Sequence, residues 1–171
     1  SCNGYLACYR NTGNVSSSAC YGYLSCTENS ASIGEGSCSG DYSCTVNEGT
    51  VGANSCVGVR SCLSNKGAVD DSACSGDQAC IVNANAIGEG SCIESDACSS
   101  NKADVGSASC IGIQACLINR GTIADDSCIG NSACLGNSGS IADEACVGQF
   151  ACSFNSLNVD AGECIGNNAC S

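Results

Sequence analysis

Apolar, small and polar positions recur along this chain with a fixed period of 18 residues. Counted from the first cysteine of each unit as position 1, cysteine returns at position 7, asparagine at position 10, and valine or isoleucine at position 14. Position 6 is always alanine or serine, and position 3 is glycine except at Glu94. A period of this length without a slip is the signature of a solenoid, in which each repeat forms one coil stacked on the last.

The repeated positions also predict local structure. A β-branched residue at position 14 fits a short strand whose side chain points inward. Helix is not expected because Gly, Ser, Asn and Cys dominate and no 3.6-residue period appears. Glycine at positions 3 and 12 predicts corners that need positive φ or a close backbone approach. Asn85, at position 12, fits such a left-handed corner, whereas Leu157 predicts that the last corner is reshaped.

The asparagine at position 10 predicts an internal ladder. Each side-chain amide can bond the amide of the neighbouring coil and the turn backbone beside it. The nine members are Asn11, Asn29, Asn47, Asn65, Asn83, Asn101, Asn119, Asn137 and Asn155.

Cysteine makes up more than a tenth of the residues, a level typical of secreted disulfide scaffolds. Metal binding is the alternative, but metal-ligating cysteines usually lie two to four residues apart, and this chain also lacks histidine. The twenty cysteines are Cys2, Cys8, Cys20, Cys26, Cys38, Cys44, Cys56, Cys62, Cys74, Cys80, Cys92, Cys98, Cys110, Cys116, Cys128, Cys134, Cys146, Cys152, Cys164 and Cys170.

Two ways of pairing these cysteines are open. Equivalent atoms in neighbouring coils lie about 4.8 Å apart, whereas a disulfide brings its Cβ atoms to about 3.8 Å, so a pair between coils in register is strained. A pair within one coil also accounts for the final half-repeat, which carries both Cys164 and Cys170. We therefore favour pairing within each coil over pairing between coils.

Two thirds of each repeat resembles the hexapeptide pattern of left-handed parallel β-helices, which reads aliphatic, glycine, two free residues, small, free. Residues 111–116 fit this pattern, residues 123–128 nearly fit it, and residues 117–122 depart from it. The resemblance implies three short strands per coil, a triangular section, inward aliphatic side chains and outward cysteines. The two cysteines six residues apart also resemble those of beetle antifreeze proteins, whose disulfides cross the coil interior.

The variability of the repeats favours inward cysteines. Position 2 holds Asn3 and Tyr21 as well as isoleucine, and position 8 holds Thr27 as well as leucine. Positions that vary so freely are predicted to be exposed. The expected fold is an all-β, single parallel β-solenoid over residues 1–171, with nine and a half three-sided coils and a disulfide in each. Its handedness is open, with left favoured, and we expect it to belong to a longer array because it starts and stops inside the pattern.

Charge restricts the partners. A formal net charge of −12 argues against binding to nucleic-acid backbones and favours cations or basic partners. Lys66, Lys102 and Arg120 share position 11 and are expected to be solvated. Nine carboxylates fall at positions 15 to 17 and define an acidic edge, predicted to be solvated, with weak Ca²⁺ binding as the only cofactor alternative. They are Glu35, Asp70, Asp71, Glu89, Asp125, Asp126, Asp143, Glu144 and Asp160.

No catalytic set of nucleophile, base and orienting group is visible, so we expect no enzyme activity. No stretch is apolar and long enough to cross a membrane. The expected function is an extracellular structural rod that forms or decorates a filament, fibre or cell-surface layer, packed against copies of itself or further repeats. Ice binding is the alternative, although position 13 mixes Asn, Ser, Thr, Ala and Asp instead of repeating threonine.

Two surface sites complete the predictions. Asn14 begins the only glycosylation sequon, Asn14-Val15-Ser16, and is a candidate for modification. Aliphatic residues at position 2 in the second half of the chain predict an apolar ridge that serves as a contact surface. This apolar ridge consists of Ile93, Ile111, Ile129, Val147 and Ile165.

Overall fold

The computed structural model describes all 171 residues and contains no helix, so nothing in it could cross a bilayer as a helical span. Contacts between coils are isolated parallel bridges, each joining residues 18 positions apart. One ladder of bridges runs through position 2, from Asn3 to Val147, and the other through position 14, from Val15 to Val159. This constant register makes the molecule a regular solenoid, in which coil 1 spans residues 2–19 and coil 9 spans residues 146–163.

Positions 3 to 10 of each coil form consecutive tight turns. In coil 7 the amides of Ala115, Leu117 and Asn119 each donate to the carbonyl three residues earlier. The three strands per coil implied by the hexapeptide resemblance are therefore wrong, since only positions 2 and 14 form bridges. The turns replace a strand because a new tight turn begins every two residues in this part of the coil.

Left-handed backbone makes these reversals. After Cys2, positions 1, 5, 9 and 17 have positive φ, between 51° and 60° wherever they are not glycine, and a residue at positive φ is what the third position of a type II turn requires. Position 3 glycines adopt φ of 125–150°. At position 12 neither Asn85 nor Leu157 has positive φ, so the left-handed corner expected at Asn85 is wrong. Glycine there permits close approach instead, because a Cβ on Gly121 would lie 1.9 Å from the carbonyl oxygen of Gly139.

Positions 10 to 14 form the extended part of the coil, with side chains alternating between the interior and solvent. In coil 7, Asn119, Gly121 and Ile123 are buried, while Arg120 and Thr122 are exposed. Because the coils stack in one register, positions 11 and 13 form two parallel outward rows along the rod. The acidic edge follows directly, at the turn through positions 15 to 18.

The interior is a narrow column of small groups. Every cysteine from Cys20 to Cys152 is fully buried, as are most residues at positions 6 and 18, and position 14 supplies the larger aliphatic side chains such as Ile33. The cysteines thus point inward, opposite to what the hexapeptide resemblance implied, and the aliphatic residues of position 2 lie at the surface. A coil this narrow accommodates a disulfide across it but not two facing rows of large side chains.

Candidate functional site

Each coil closes a disulfide between its own two cysteines, with Cα atoms 5.5–5.8 Å apart. Sulfurs of neighbouring coils also approach closely, and in four places three of them lie within 4.8 Å of one another. The bonds therefore stack into a column along the interior. Metals bind thiolates, and all the cysteines of this column are in disulfides. The pairs are Cys2–Cys8, Cys20–Cys26, Cys38–Cys44, Cys56–Cys62, Cys74–Cys80, Cys92–Cys98, Cys110–Cys116, Cys128–Cys134, Cys146–Cys152 and Cys164–Cys170.

The asparagines form a continuous hydrogen-bonded ladder beside this column. The Nδ2 group of Asn83 donates to Oδ1 of Asn65 at 2.9 Å and to the carbonyl of Asn85 at 2.6 Å. The Oδ1 atom of Asn83 accepts from Asn101 at 3.0 Å. The same pattern runs from Asn11 to Asn155. Each inner amide uses both of its donor hydrogens and its acceptor, so the ladder buries polar groups without leaving them unpaired.

A second ladder, of serines at position 18, was missed by the sequence analysis, which treated this position only as small. The hydroxyl of Ser109 donates to the carbonyl of Ala124 at 2.8 Å and accepts the amide of Ser127 at 3.0 Å. These hydroxyls form hydrogen bonds with backbone amides and carbonyls of the next coil that point inward and take no part in the β-bridges. The members are Ser37, Ser55, Ser91, Ser109 and Ser127.

Serine at position 6 behaves differently. The hydroxyls of Ser25, Ser43 and Ser61 are buried and have no hydrogen-bond partner. Coils 5 to 9 carry alanine at this position. Three consecutive coils therefore bury unpaired hydroxyls, which lowers stability.

Aspartate and asparagine at positions 4, 13 and 16 cap outward backbone amides of the preceding coil. Oδ1 of Asp71 accepts the amide of Ala53 at 2.7 Å, and Oδ1 of Asp125 accepts that of Ser107 at 2.7 Å. Asn131 does the same for Ile113 at 3.1 Å. Some acidic residues thus have a backbone role that the sequence analysis did not recognise.

The acidic edge is exposed along its whole length. The groups of three close metal-ligating atoms are all cysteine sulfurs, and the carboxylates of the edge form no such group. Since Ca²⁺ takes six to eight oxygen ligands, an edge whose carboxylates stand singly or in pairs does not provide a preformed cage.

Three of the five basic side chains share one cleft, which the sequence analysis did not predict. Lys66, Lys102 and Arg120 at position 11, with Val82 and Ile118 at position 9, line a cavity of about 430 Å³ that spans coils 4 to 7. We call these five residues the basic groove. Val82 and Ile118 are 55% and 44% exposed, so the groove combines an apolar strip with a cationic rim.

Aromatic residues mark the other end of the rod. The Tyr5 and Tyr23 rings stack with centroids 5.5 Å apart, and Tyr42 meets Tyr23 edge-on at 5.4 Å. The neighbouring phenol of Tyr42 raises the pKa of Tyr23, with smaller contributions from burial and from Tyr5. The Arg60 guanidinium lies 5.9 Å from the Tyr42 ring centroid. Since these rings contact one another, less of their faces is open to a ligand.

The two remaining predicted sites lie on the surface. Asn14 is exposed, as a modified asparagine must be. In the apolar ridge, the first four residues are half-buried and Ile165 is 64% exposed. Four of the five stack through the position 2 bridges, so the ridge is a continuous apolar line along the second half of the rod.

One family model, described as Domain of unknown function (DUF7640), matches the chain twice, over residues 1–72 and 36–143. The two matched stretches have the lengths of four and six repeats. No curated protein and no solved structure matches the chain.

Proposed function

The chain belongs to the DUF7640 family, and we propose that it is an extracellular structural rod that packs laterally against copies of itself. The rod would form or decorate a filament, fibre or cell-surface layer. One observation carries the proposal: the interior groups of the coil are almost all bonded to one another, and what varies between coils is the outer rows.

Interior bonding supports a mechanical role. The cysteine sulfurs are joined in disulfides, and the position 10 amides bond from coil to coil. Each small disulfide loop constrains the unfolded chain by about 2 kcal/mol in the loop-entropy description. A rod braced in every coil resists heat and proteolysis, which suits a material exposed outside the cell.

The disulfides also support the location. Ten disulfides in 171 residues persist in an oxidising compartment, such as the extracellular space, and would be reduced in an ordinary cytosol.

The apolar ridge supports lateral packing. Its residues repeat once per coil, about 4.8 Å apart, so two rods that meet along it bury apolar side chains at every coil. Exposed apolar lines of this kind usually mark contact surfaces. Ile113, two residues after Ile111 at position 4, is 48% exposed and widens the apolar surface at coil 7.

Sedimentation velocity over a range of protein concentrations tests this assembly. The unmodified protein should form species larger than the monomer, while Ile111→Lys/Ile129→Lys should stay monomeric because burying two ammonium groups in the contact is costly. Its circular dichroism should match that of the unmodified protein, since these side chains lie outside the core. Ala68→Lys/Ala86→Lys adds the same charge on exposed position 13 and should still assemble. An unmodified protein that is monomeric at every concentration would refute the proposal.

A thermal-hysteresis assay separates this proposal from ice binding. Position 13 is outward, but some of its polar side chains lie along the rod: Oδ1 of Asp104 accepts the amide of Ala86, and Oδ1 of Asn158 accepts that of Ser140. Such a row does not present hydroxyls at a regular spacing. We therefore expect no hysteresis, and a clear hysteresis gap would favour the ice-binding alternative.

A further inference from the structure

The basic groove and the acidic edge border the same extended segment of the coil, on positions 9 to 11 and 15 to 17. In a chain of net charge −12, gathering three of five cations into one groove creates two surfaces of opposite charge. Neither surface neutralises the other within one molecule, because the only ion pair is between Arg10 and Glu28. The two surfaces are thus available to another molecule.

The axial spacing of the charges narrows the choice of that molecule. The cations of the groove lie on coils 4, 6 and 7, and the acidic edge has carboxylates on coils 2, 4, 5, 7, 8 and 9. Two parallel rods in exact register would leave Lys102 opposite coil 6, which has no carboxylate at positions 15 to 17. An offset of one coil places all three cations opposite carboxylates. The resulting sets are Lys66 with Glu89, Lys102 with Asp125 and Asp126, and Arg120 with Asp143 and Glu144.

We propose that the basic groove receives the acidic edge of a second copy of this chain, parallel to the first and offset by one coil. The proposal rests on the proposed function and specifies one of its lateral contacts. A second copy has the same axial repeat by construction, so an irregular pattern of cations and carboxylates can pair over several coils. A parallel offset of two coils in the other direction also pairs all three cations, but against four carboxylates instead of five and with less overlap. An antiparallel copy with Lys66 opposite coil 7, Lys102 opposite coil 5 and Arg120 opposite coil 4 meets five carboxylates as well, and an antiparallel assembly would overturn the proposal.

The contact determines the axial register of the two rods more than it contributes to their affinity. Exposed ion pairs contribute little each, but complementary surfaces fix alignment and reject wrong partners. The carboxylates can serve both roles, because Asp125 uses Oδ1 to cap the Ser107 amide and Asp126 caps none. Since the groove and the edge are different surfaces, the contact is heterologous. The edge of the first copy and the groove of the second copy remain free to bind further copies. Where the rotation between copies does not close a ring, the contact extends into an open assembly, as a surface layer requires.

The first test reverses the groove. Lys102→Glu/Arg120→Glu should weaken self-association in sedimentation equilibrium by at least about tenfold, from the loss and reversal of two exposed pairs. The matched control, Arg10→Glu/Arg60→Glu, changes the net charge equally but lies outside the groove, and should assemble within about twofold of the unmodified protein. Equal effects of the two variants would mean that net charge alone matters and would overturn the proposal.

The second test reverses the edge and looks for rescue. In Asp125→Asn/Asp126→Lys/Asp143→Asn/Glu144→Lys, the asparagines keep the Oδ1 acceptors that cap the backbone, while the lysines reverse the charge. This variant alone should associate at least about tenfold more weakly, and mixing it with Lys102→Glu/Arg120→Glu should restore association between the two chains. Failure of the mixture to associate would overturn the pairing of groove with edge.

The remaining outcomes distinguish failure of the groove contact from failure of the proposed rod assembly. If both charge variants assemble normally while Ile111→Lys/Ile129→Lys is monomeric, the proposed function stands and the groove contact is wrong. If the unmodified protein is monomeric at every concentration, both are wrong. If it is monomeric but binds polyglutamate or heparin through Lys102 and Arg120, the groove takes an acidic partner other than a second copy, which also overturns the proposal.

Discussion

At the scale of single residues, backbone conformation decides what each position tolerates. Position 3 requires positive φ, and glycine satisfies it everywhere except at Glu94, which is held at φ 96°. Position 9 accepts even β-branched residues such as Val82 and Ile118 at φ of 53–54°, although a left-handed conformation costs an L-residue about 1–2 kcal/mol. The bonds on both sides of each coil hold these residues in place.

Replacing Glu94 with glycine should raise the free energy of unfolding by about 1 kcal/mol, because the release of strain exceeds the extra chain entropy of glycine. Denaturant unfolding of the oxidised protein measures it. Gly112→Ala is the opposite control and should lower stability by more than about 2 kcal/mol, since φ is 136° and a Cβ would lie 2.7 Å from the carbonyl carbon of Gly130. A destabilising Glu94→Gly would show that position 3 does not require glycine.

The two serine positions give a second residue-scale prediction. Ser25→Ala/Ser43→Ala/Ser61→Ala removes unpaired buried hydroxyls and should stabilise the protein by about 1 kcal/mol per site. Ser109→Ala should destabilise it by about 1–2 kcal/mol, because the amide of Ser127 loses its acceptor. Thermal unfolding midpoints of the two variants should therefore move in opposite directions, and a shift of both in one direction would contradict the account.

The sequence could not distinguish these serines. Positions 6 and 18 both hold alanine or serine, apart from Glu163 at position 18 of the last full coil, so both were predicted only to be small. Which hydroxyl meets a backbone amide depends on where the turns aim that amide. The same limit applies to position 12, where glycine is needed because the backbone of the next coil lies too close for a side chain, and not because φ is positive.

At the scale of the coil, the sequence predicts the period, the absence of helix, the inward side chain of position 14 and the asparagine ladder. It does so because cysteine, asparagine and the aliphatic residue of position 14 recur in every full coil. The turns of positions 3 to 10 do not follow, since residues as different as Leu6, Arg60 and Phe150 occupy the left-handed position 5. No residue preference marks that conformation. The coil geometry imposes it through hydrogen bonds to both neighbouring coils.

The asparagine ladder gives the prediction for this scale. Asn83→Ala should lower the free energy of unfolding by about 3 kcal/mol, because it leaves polar groups of Asn65, Asn85 and Asn101 without partners. Asn155 lies at the end of the ladder and is only half-buried, so Asn155→Ala should lower the free energy of unfolding by only about 1 kcal/mol. Hydrogen exchange should accelerate in the coils on both sides of Asn83. Equal costs at the two sites would mean that the amides do not act as a ladder.

At the scale of the whole molecule, the rod is quasi-one-dimensional, with each coil in contact with its neighbours alone. The sequence placed Lys66, Lys102 and Arg120 in one row but could not show that rows 9 and 11 enclose a cleft. It likewise identified the apolar ridge, whose place at the surface becomes visible only when the cysteines are inside. The proposed assembly therefore depends on rows of side chains, and we expect single residues to affect it only through their row.

Electron microscopy of the oxidised protein over a range of concentrations tests the central claim most directly. The account predicts sheets or bundles of parallel rods for the unmodified protein, and separate short rods for Ile111→Lys/Ile129→Lys at the same concentrations. Isolated rods of the unmodified protein at every concentration would contradict it.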